Sequence, residues 1–167
     1  AHFGEDGYLD YWQQLVENGV VIVNDWETAY YTNFSGSSGR GGQPMVVSYA
    51  SSPPAELIYA ETPLLEAPTA SIIGEGTCFR QVEFVGILKG TKNRDLAEKF
   101  IDFMLSKEYQ EDLPLQMFVF PVNPEAILPE AFIQAAQVLE SPAALDPQRI
   151  SEMREAWIDA WLERVLK

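Results

Sequence analysis

The sequence predicts an α/β fold, and three observations carry that prediction. Short apolar runs of strand length, such as residues 20–23 (Val-Val-Ile-Val) and 45–49 (Met-Val-Val-Ser-Tyr), are bounded by glycine, asparagine or proline. Between such runs lie segments whose apolar residues return every three or four positions, as in Tyr8, Tyr11, Trp12, Leu15 and Val16. The two kinds of segment alternate along the chain, the pattern of strands covered by helices. With 167 residues, 47% hydrophobic and 12% aromatic, there is apolar material for the core of one ordinary domain.

Taken in order, residues 8–16 predict a helix, Asn18-Gly19 its stop, and residues 20–23 a buried strand. Asn24-Asp25-Trp26 offers a helix cap, and residues 27–34 form a short helix carrying Tyr30 and Tyr31. Residues 35–43 (Ser-Gly-Ser-Ser-Gly-Arg-Gly-Gly-Gln) have the composition of a mobile loop; they lack a Gly-Lys-Ser/Thr ending and follow no strand, which argues against a nucleotide phosphate site. A strand at 45–49 runs into Pro53-Pro54, followed by a helical turn at 55–60, a linker at 62–69 and a strand at 70–73. Residues 80–88 are strand-like and 89–93 a loop, with Asn93 as N-cap of a helix over 95–109 whose apolar face holds Leu96, Phe100, Phe103 and Met104. Residues 118–122 form a short apolar segment and 129–139 a helix. Asp146-Pro147 opens a last helix with Ile150, Met153, Trp157, Trp161 and Val165 in one stripe.

Twenty-five acidic side chains against eleven basic ones give a formal charge of -14. That balance disfavours nucleic acid and anionic lipid and favours cationic solutes, although a solubility surface has the same charge. Cys78 is the only cysteine, so an internal disulfide and a multi-cysteine metal site are excluded. With one histidine, His2, near a terminus and no histidine close to Cys78 in sequence, no nucleophilic triad can be assembled. Carboxylate pairs such as Glu61 with Glu66 or Glu111 with Asp112 have the character of solvated surface. No catalytic residue, metal ligand or cofactor is assigned, and the expectation is a protein that is not an enzyme. No apolar run approaches the roughly 20 residues needed to cross a bilayer. The chain opens on Ala1-His2-Phe3-Gly4 with neither an initiator Met nor a signal peptide, from which we expect further sequence ahead of it.

The aromatic residues suggest a ligand. Trp26 and Tyr30 lie four apart on a short helix that starts at a strand end, Tyr49 leaves another strand, and Phe118 stands beside a third. Four rings could meet around a flat cation, each contributing roughly 0.5 to 2 kcal/mol. Ser48, Ser51 and Ser52 offer hydroxyls to its polar groups. For any single ring, ordinary core packing is equally open, and Trp157 and Trp161 need no ligand at all. Tyr30-Tyr31 also leaves open a tyrosinate pair for ferric ion.

Five runs carry a resemblance: Asp25-Trp26-Glu27-Thr28-Ala29-Tyr30, Ser48-Tyr49-Ala50-Ser51-Ser52-Pro53, Gln81-Val82-Glu83, the Leu-Ala-Glu-Lys-Phe helix from Leu96 to Ser106, and Ala156-Trp157-Ile158. From about Tyr11 to the C-terminus the chain resembles the C-terminal half of the thiamine-binding proteins of bacterial ABC importers. The resemblance implies a type II periplasmic binding protein-like fold: a mixed sheet flanked by helices, in a partial two-lobed architecture whose lobes close on the solute by a hinge. Residues 1–73 would be part of the second lobe, 74–119 would return to the first, and 120–167 would be C-terminal helices packing on the second. Trp26 and Tyr49 match ring positions that hold thiamine, and Phe118 falls where the family has a tryptophan. Ala55 stands where it has a second tyrosine, with Tyr59 one helical turn further on as a possible substitute.

The implied function is the solute-binding component of an ABC importer, taking thiamine or a thiamine phosphate to a membrane permease and its ATPase. The place is the periplasm, or the outer face of the membrane by an anchor. The expected ligand-binding set is Trp26, Tyr30, Ser48, Tyr49, Ser51, Ser52 and Phe118. Ferric ion, a polyamine or another small solute is the alternative within that class, and a non-transport interaction domain the alternative outside it.

Overall fold

Helix α1, Gly4–Glu17, forms where the apolar period predicts it and stops where Asn18-Gly19 predicts the stop. Gly19 takes φ 77°, and two amides close the end: Gly19 N–H donates to the Val16 carbonyl at 2.9 Å and Val20 N–H to the Leu15 carbonyl at 3.0 Å. This paired return of the chain onto the last turn is the glycine-terminated helix stop. The structure, a computed structural model, describes residues 2–166, without the side chains of Asp6, Ser37 and Ser38. Ala1 and Lys167, the outer ends of the expected lobe segments, lie outside the described residues.

The chain divides into two compact units. The first comprises residues 1–47, 72–80 and 139–167. Its frame is α1 packed against the long last helix α7, Pro147–Val165, which begins as expected at Asp146-Pro147. The Asp146 carboxylate accepts from Gln148 N–H at 2.9 Å, and proline needs no donor at the first helical position. Trp12 and Trp161 meet edge to face with centroids 5.4 Å apart, and Val165 is buried at the end of the stripe. An exposed pair, Arg149 Nη2 to Glu5 Oε1 at 2.6 Å, ties the same two helices and contributes at most about 1 kcal/mol. Residues 28–33 form a π-helix, Thr28–Asn33, whose cap amide, Phe34 N–H, reaches the Ala29 carbonyl at 3.0 Å.

The second unit comprises residues 48–71 and 81–138. Helix α3, Ser52–Ile58, packs on α6, Glu130–Ala135, and Phe132 is buried there with Phe120 edge-on to it at 5.6 Å. Helix α4, Arg94–Met104, and α5, Lys107–Gln116, follow one another with a break at Leu105-Ser106.

Several expectations are corrected. The mixed sheet does not form among the described residues: residues 20–23, 45–49, 70–73, 80–88 and 118–122 are unladdered, and pairing is confined to two isolated bridges, Phe34 with Gln43 and Phe79 with Ala143. An apolar run of strand length specifies an extended backbone and not a neighbour, and a ladder requires two such runs side by side. In the run 82–88, Phe84 is 91% and Leu88 84% exposed. The helix expected over 95–109 is two helices, because Ser106 takes extended backbone and caps the second, accepting from Tyr109 N–H at 3.4 Å. Asn93 precedes α4 as expected but makes no side-chain cap bond. The loop expected over 35–43 contains one helical turn, α2, Ser35–Ser38, and is closed by Ser35 N–H to the Gln43 carbonyl and Gln43 N–H to the Asn33 carbonyl, both 2.9 Å. Gly41 makes that closure possible, since a Cβ there would collide with the Asn33 backbone.

Candidate ligand site

In the first unit, the cap read from Asn24-Asp25-Trp26 resolves onto Asp25. Its carboxylate accepts from Thr28 N–H at 2.7 Å and from the Thr28 hydroxyl at 2.9 Å. These two bonds, the backbone one foremost, hold the Asp25 carboxyl below the ordinary carboxylate range. The capped turn carries Trp26 and Tyr30, which stack with centroids 4.9 Å apart and planes 20° from parallel. Tyr30 is 3% exposed, walled also by Tyr31 and Phe34, while Tyr31 is exposed. A four-residue spacing on helical backbone brings Trp26 and Tyr30 together, as the sequence implies.

In the second unit, the run 48–52 folds as a tight turn leading into α3. Ser52 N–H donates to the Tyr49 carbonyl at 3.0 Å, the Ser48 and Ser52 hydroxyls are 2.7 Å apart, and Tyr49 N–H lies 3.4 Å from the Ser52 hydroxyl. Ser51 is buried, and its carbonyl accepts the first bond of the helix, from Ala55 N–H at 3.1 Å. Pro53 and Pro54 lie in the first turn of the helix, just after Ser52, where amide hydrogens have no partner within the helix, so the residues that end the extended run also help to start the helix. The Tyr49 side chain is 59% exposed at the head of this turn.

Phe118 follows α5 and lies 5.4 Å, centroid to centroid, from Tyr59. Its segment is held by a residue that sequence reasoning missed. Gln110, 4% exposed, donates from Nε2 to the Met104 carbonyl at 2.7 Å, and its Oε1 accepts from Val122 N–H at 2.7 Å and Asn123 N–H at 3.4 Å. One amide thus joins the end of α4 to the chain beyond Phe118. The available signal was Gln110 four residues before Pro114: the two share one face of α5 and both are buried.

The structure brings the seven expected residues into three local groups: Trp26 with Tyr30, Ser48 with Tyr49, Ser51 and Ser52, and Phe118 with Tyr59. Among the described residues, no group of three or more His, Cys, Asp or Glu side chains is placed to hold a metal ion. A groove of about 710 Å³ lies elsewhere in the first unit, between α1 and α7, lined by Tyr8, Trp12, Trp157 and Trp161 among others. It contains none of the seven. Its lining is mostly apolar rings, and the turn at 48–52 offers more hydroxyls to a polar solute.

A family model described as bacterial extracellular solute-binding protein matches residues 4–140. The chain belongs to that family. Among relatives of this solute-binding protein, the thiamine-binding periplasmic protein of Salmonella typhimurium is 31% identical over 157 residues, 92% of this chain and 44% of the relative. The protein of the same name from Escherichia coli K12 is 29% identical over the same span, and that from Brucella suis 29% identical over 153 residues. A solved periplasmic thiamin binding protein superposes with a TM-score of 0.71 at 25% identity, covering 98% of this chain and 48% of that one. The backbone of the chain is thus similar to that of a periplasmic binding protein, without its sheet among the described residues, and the chain spans less than half the length of each of these relatives.

Proposed function

We propose that the chain is part of the solute-binding component of an ABC importer and that its solute is thiamine or a thiamine phosphate. The observation that carries this reading is the turn at 48–52, which exposes the tyrosine Tyr49 beside the mutually bonded hydroxyls of Ser48 and Ser52, in a chain whose relatives are named for thiamine. Thiamine is a flat aromatic cation with polar edges. Aromatic faces attract such a cation, serine hydroxyls can meet its edges, and the charge of -14 favours its approach.

In this reading Trp26, Tyr49 and Phe118 contact the rings and Tyr30 backs Trp26. Ser48, Ser51 and Ser52 set the polar side, with Ser51 acting through the turn it buries. The protein works in the periplasm, performs no chemical reaction and hands its solute to a permease driven by an ATPase. Residues 1–73 and 120–167 would belong to one lobe and 74–119 to the other, a division that does not coincide with the two compact units of this chain.

The test is a tryptophan-fluorescence titration of the whole-length protein with thiamine, its monophosphate, its diphosphate, spermidine and ferric citrate, for wild type and Trp26→Ala. Saturable quenching by a thiamine form, lost in the variant, is the expected result. Binding of spermidine or ferric citrate with no response to any thiamine form overturns the solute while leaving the family. A visible charge-transfer band with ferric citrate would identify tyrosinate ligation instead.

A further inference from the structure

The groove between α1 and α7 has a lining that helix packing alone does not explain. Its volume of about 710 Å³ is in the range of small-molecule sites, and it lies wholly within the first unit. Helix α1 contributes Tyr8 and Trp12, four residues apart and so on one face. Helix α7 contributes two adjoining rows at the same spacing: Trp157 and Trp161 in one, Arg154, Ile158 and Leu162 in the other. Tyr8 and the three tryptophans are half-buried, so each keeps part of its ring accessible from the groove.

Arg154 is the residue out of place. A helix packed on a neighbour carries apolar side chains in the rows nearest the contact, yet the row of Ile158 and Leu162 opens on an arginine. Its partner is the next residue, Glu155, with Nη1 to Oε1 at 2.8 Å and the two side chains 65% and 82% exposed. So exposed a pair is weak, Glu155 does not line the groove, and the bond engages one of five guanidinium donors. The other arginine of the groove is differently engaged. Arg149 gives Nε and Nη2 to Glu5 Oε1, at 2.9 and 2.6 Å, and so neutralises the only acid among the lining residues. What remains is one cationic fork beside four aromatic rings, in a chain whose formal charge is -14.

We propose that this groove binds a planar aromatic carboxylate, with its rings against Trp12, Trp157 and Trp161 and its carboxylate on the Arg154 guanidinium in exchange for Glu155. Aromatic rings pair edge to face or offset, and Trp12 and Trp161 already meet edge to face, which leaves ring surface for a third partner. The planar guanidinium matches a carboxylate through two parallel bonds, and that contact selects the anion over a neutral compound of the same shape. A cation gains nothing at Arg154. The groove is therefore independent of the proposed thiamine site, and neither reading depends on the other.

The experiment titrates the whole-length protein with 2-naphthoate and with its uncharged counterpart 2-naphthamide, following the tryptophan indole N–H signals by NMR. For a ligand of this size the expected Kd is about 1 mM. Naphthoate should shift the signals of Trp12, Trp157 and Trp161 and leave that of Trp26 in place. It should bind about fivefold more tightly than naphthamide, by a margin that shrinks as salt is added. Arg154→Gln, at an exposed position where thermal unfolding should not change, should abolish that preference, and Arg154→Lys should keep part of it. Glu155→Gln frees the guanidinium and should tighten naphthoate about twofold. Absence of saturable shifts, equal affinity for the two probes, or a preference that survives Arg154→Gln would each overturn the carboxylate site. Displacement of naphthoate by thiamine would put the probe in the solute site and overturn it as well.

Discussion

At the scale of single residues, Asp25 has the most definite physical signature. Its carboxyl is depressed by the Thr28 amide and hydroxyl, so the folded state holds the charged form more strongly than the unfolded chain does. For a lowered carboxyl pKa, the associated stability is complete above the unfolded value of about 3.9 and is lost as pH falls through the still lower folded value. Asp25→Ala should therefore unfold earlier than wild type at pH 7, with the gap closing below about pH 4. Thermal melts followed by tryptophan emission at several pH values check this, and a gap unchanged at pH 3 would refute the assignment. This residue was legible in the sequence, because an aspartate three places before a threonine at the mouth of a short helix has few other uses. Phe118 was legible as an aromatic and illegible as a left-handed residue, since nothing in Met117-Phe118-Val119 announces positive φ where glycine is absent.

At the scale of elements, Gln110 decides how the segment carrying Phe118 is held. Its side-chain amide makes three bonds to backbone groups from a position 4% exposed, and removing it leaves the Met104 carbonyl and the Val122 amide without that partner. Gln110→Ala should cost about 2 kcal/mol of stability. Gln110→Met, of similar length, should recover little of it, because the loss lies in the hydrogen bonds and not in the space; denaturant unfolding of both variants measures the difference. Helices with strong local signals were legible: α1 through its period and Asn18-Gly19 stop, α7 through Asp146-Pro147. The break between α4 and α5 was not, because Phe103, Met104 and Tyr109 keep a helical rhythm across a serine whose hydroxyl competes for the next amides. The π-helix at Thr28–Asn33 was equally hidden, as apolar spacing over six residues does not separate hydrogen bonds four residues apart from bonds five apart.

At the scale of the whole molecule, the missing sheet and the exposed apolar surface are one observation. Val82, Phe84, Val85 and Leu88 on an unladdered run, and Leu96, Phe100 and Phe103 on α4, are all exposed large apolar side chains of the second unit. The relatives have more than twice the length that matches here. The 167-residue chain by itself should bind the dye ANS and self-associate, and the whole-length protein should do neither; similar dye binding by both would show that this surface has no cover. By the same reasoning the chain alone should bind thiamine weakly, since nanomolar affinity requires about 12 kcal/mol and each ring supplies roughly one or two. Periodicity showed which faces are apolar, but the partner of a face is a long-range fact that no local spacing encodes.

The first unit is discontinuous in sequence, and its frame joins the first helix to the last. On the ribosome, α1 emerges well before α7 and waits, with Trp12 uncovered, until α7 brings Trp161 to it. The order of translation thus leaves that face of α1 bare until α7 follows, and a message truncated between the two yields a chain whose first unit does not close.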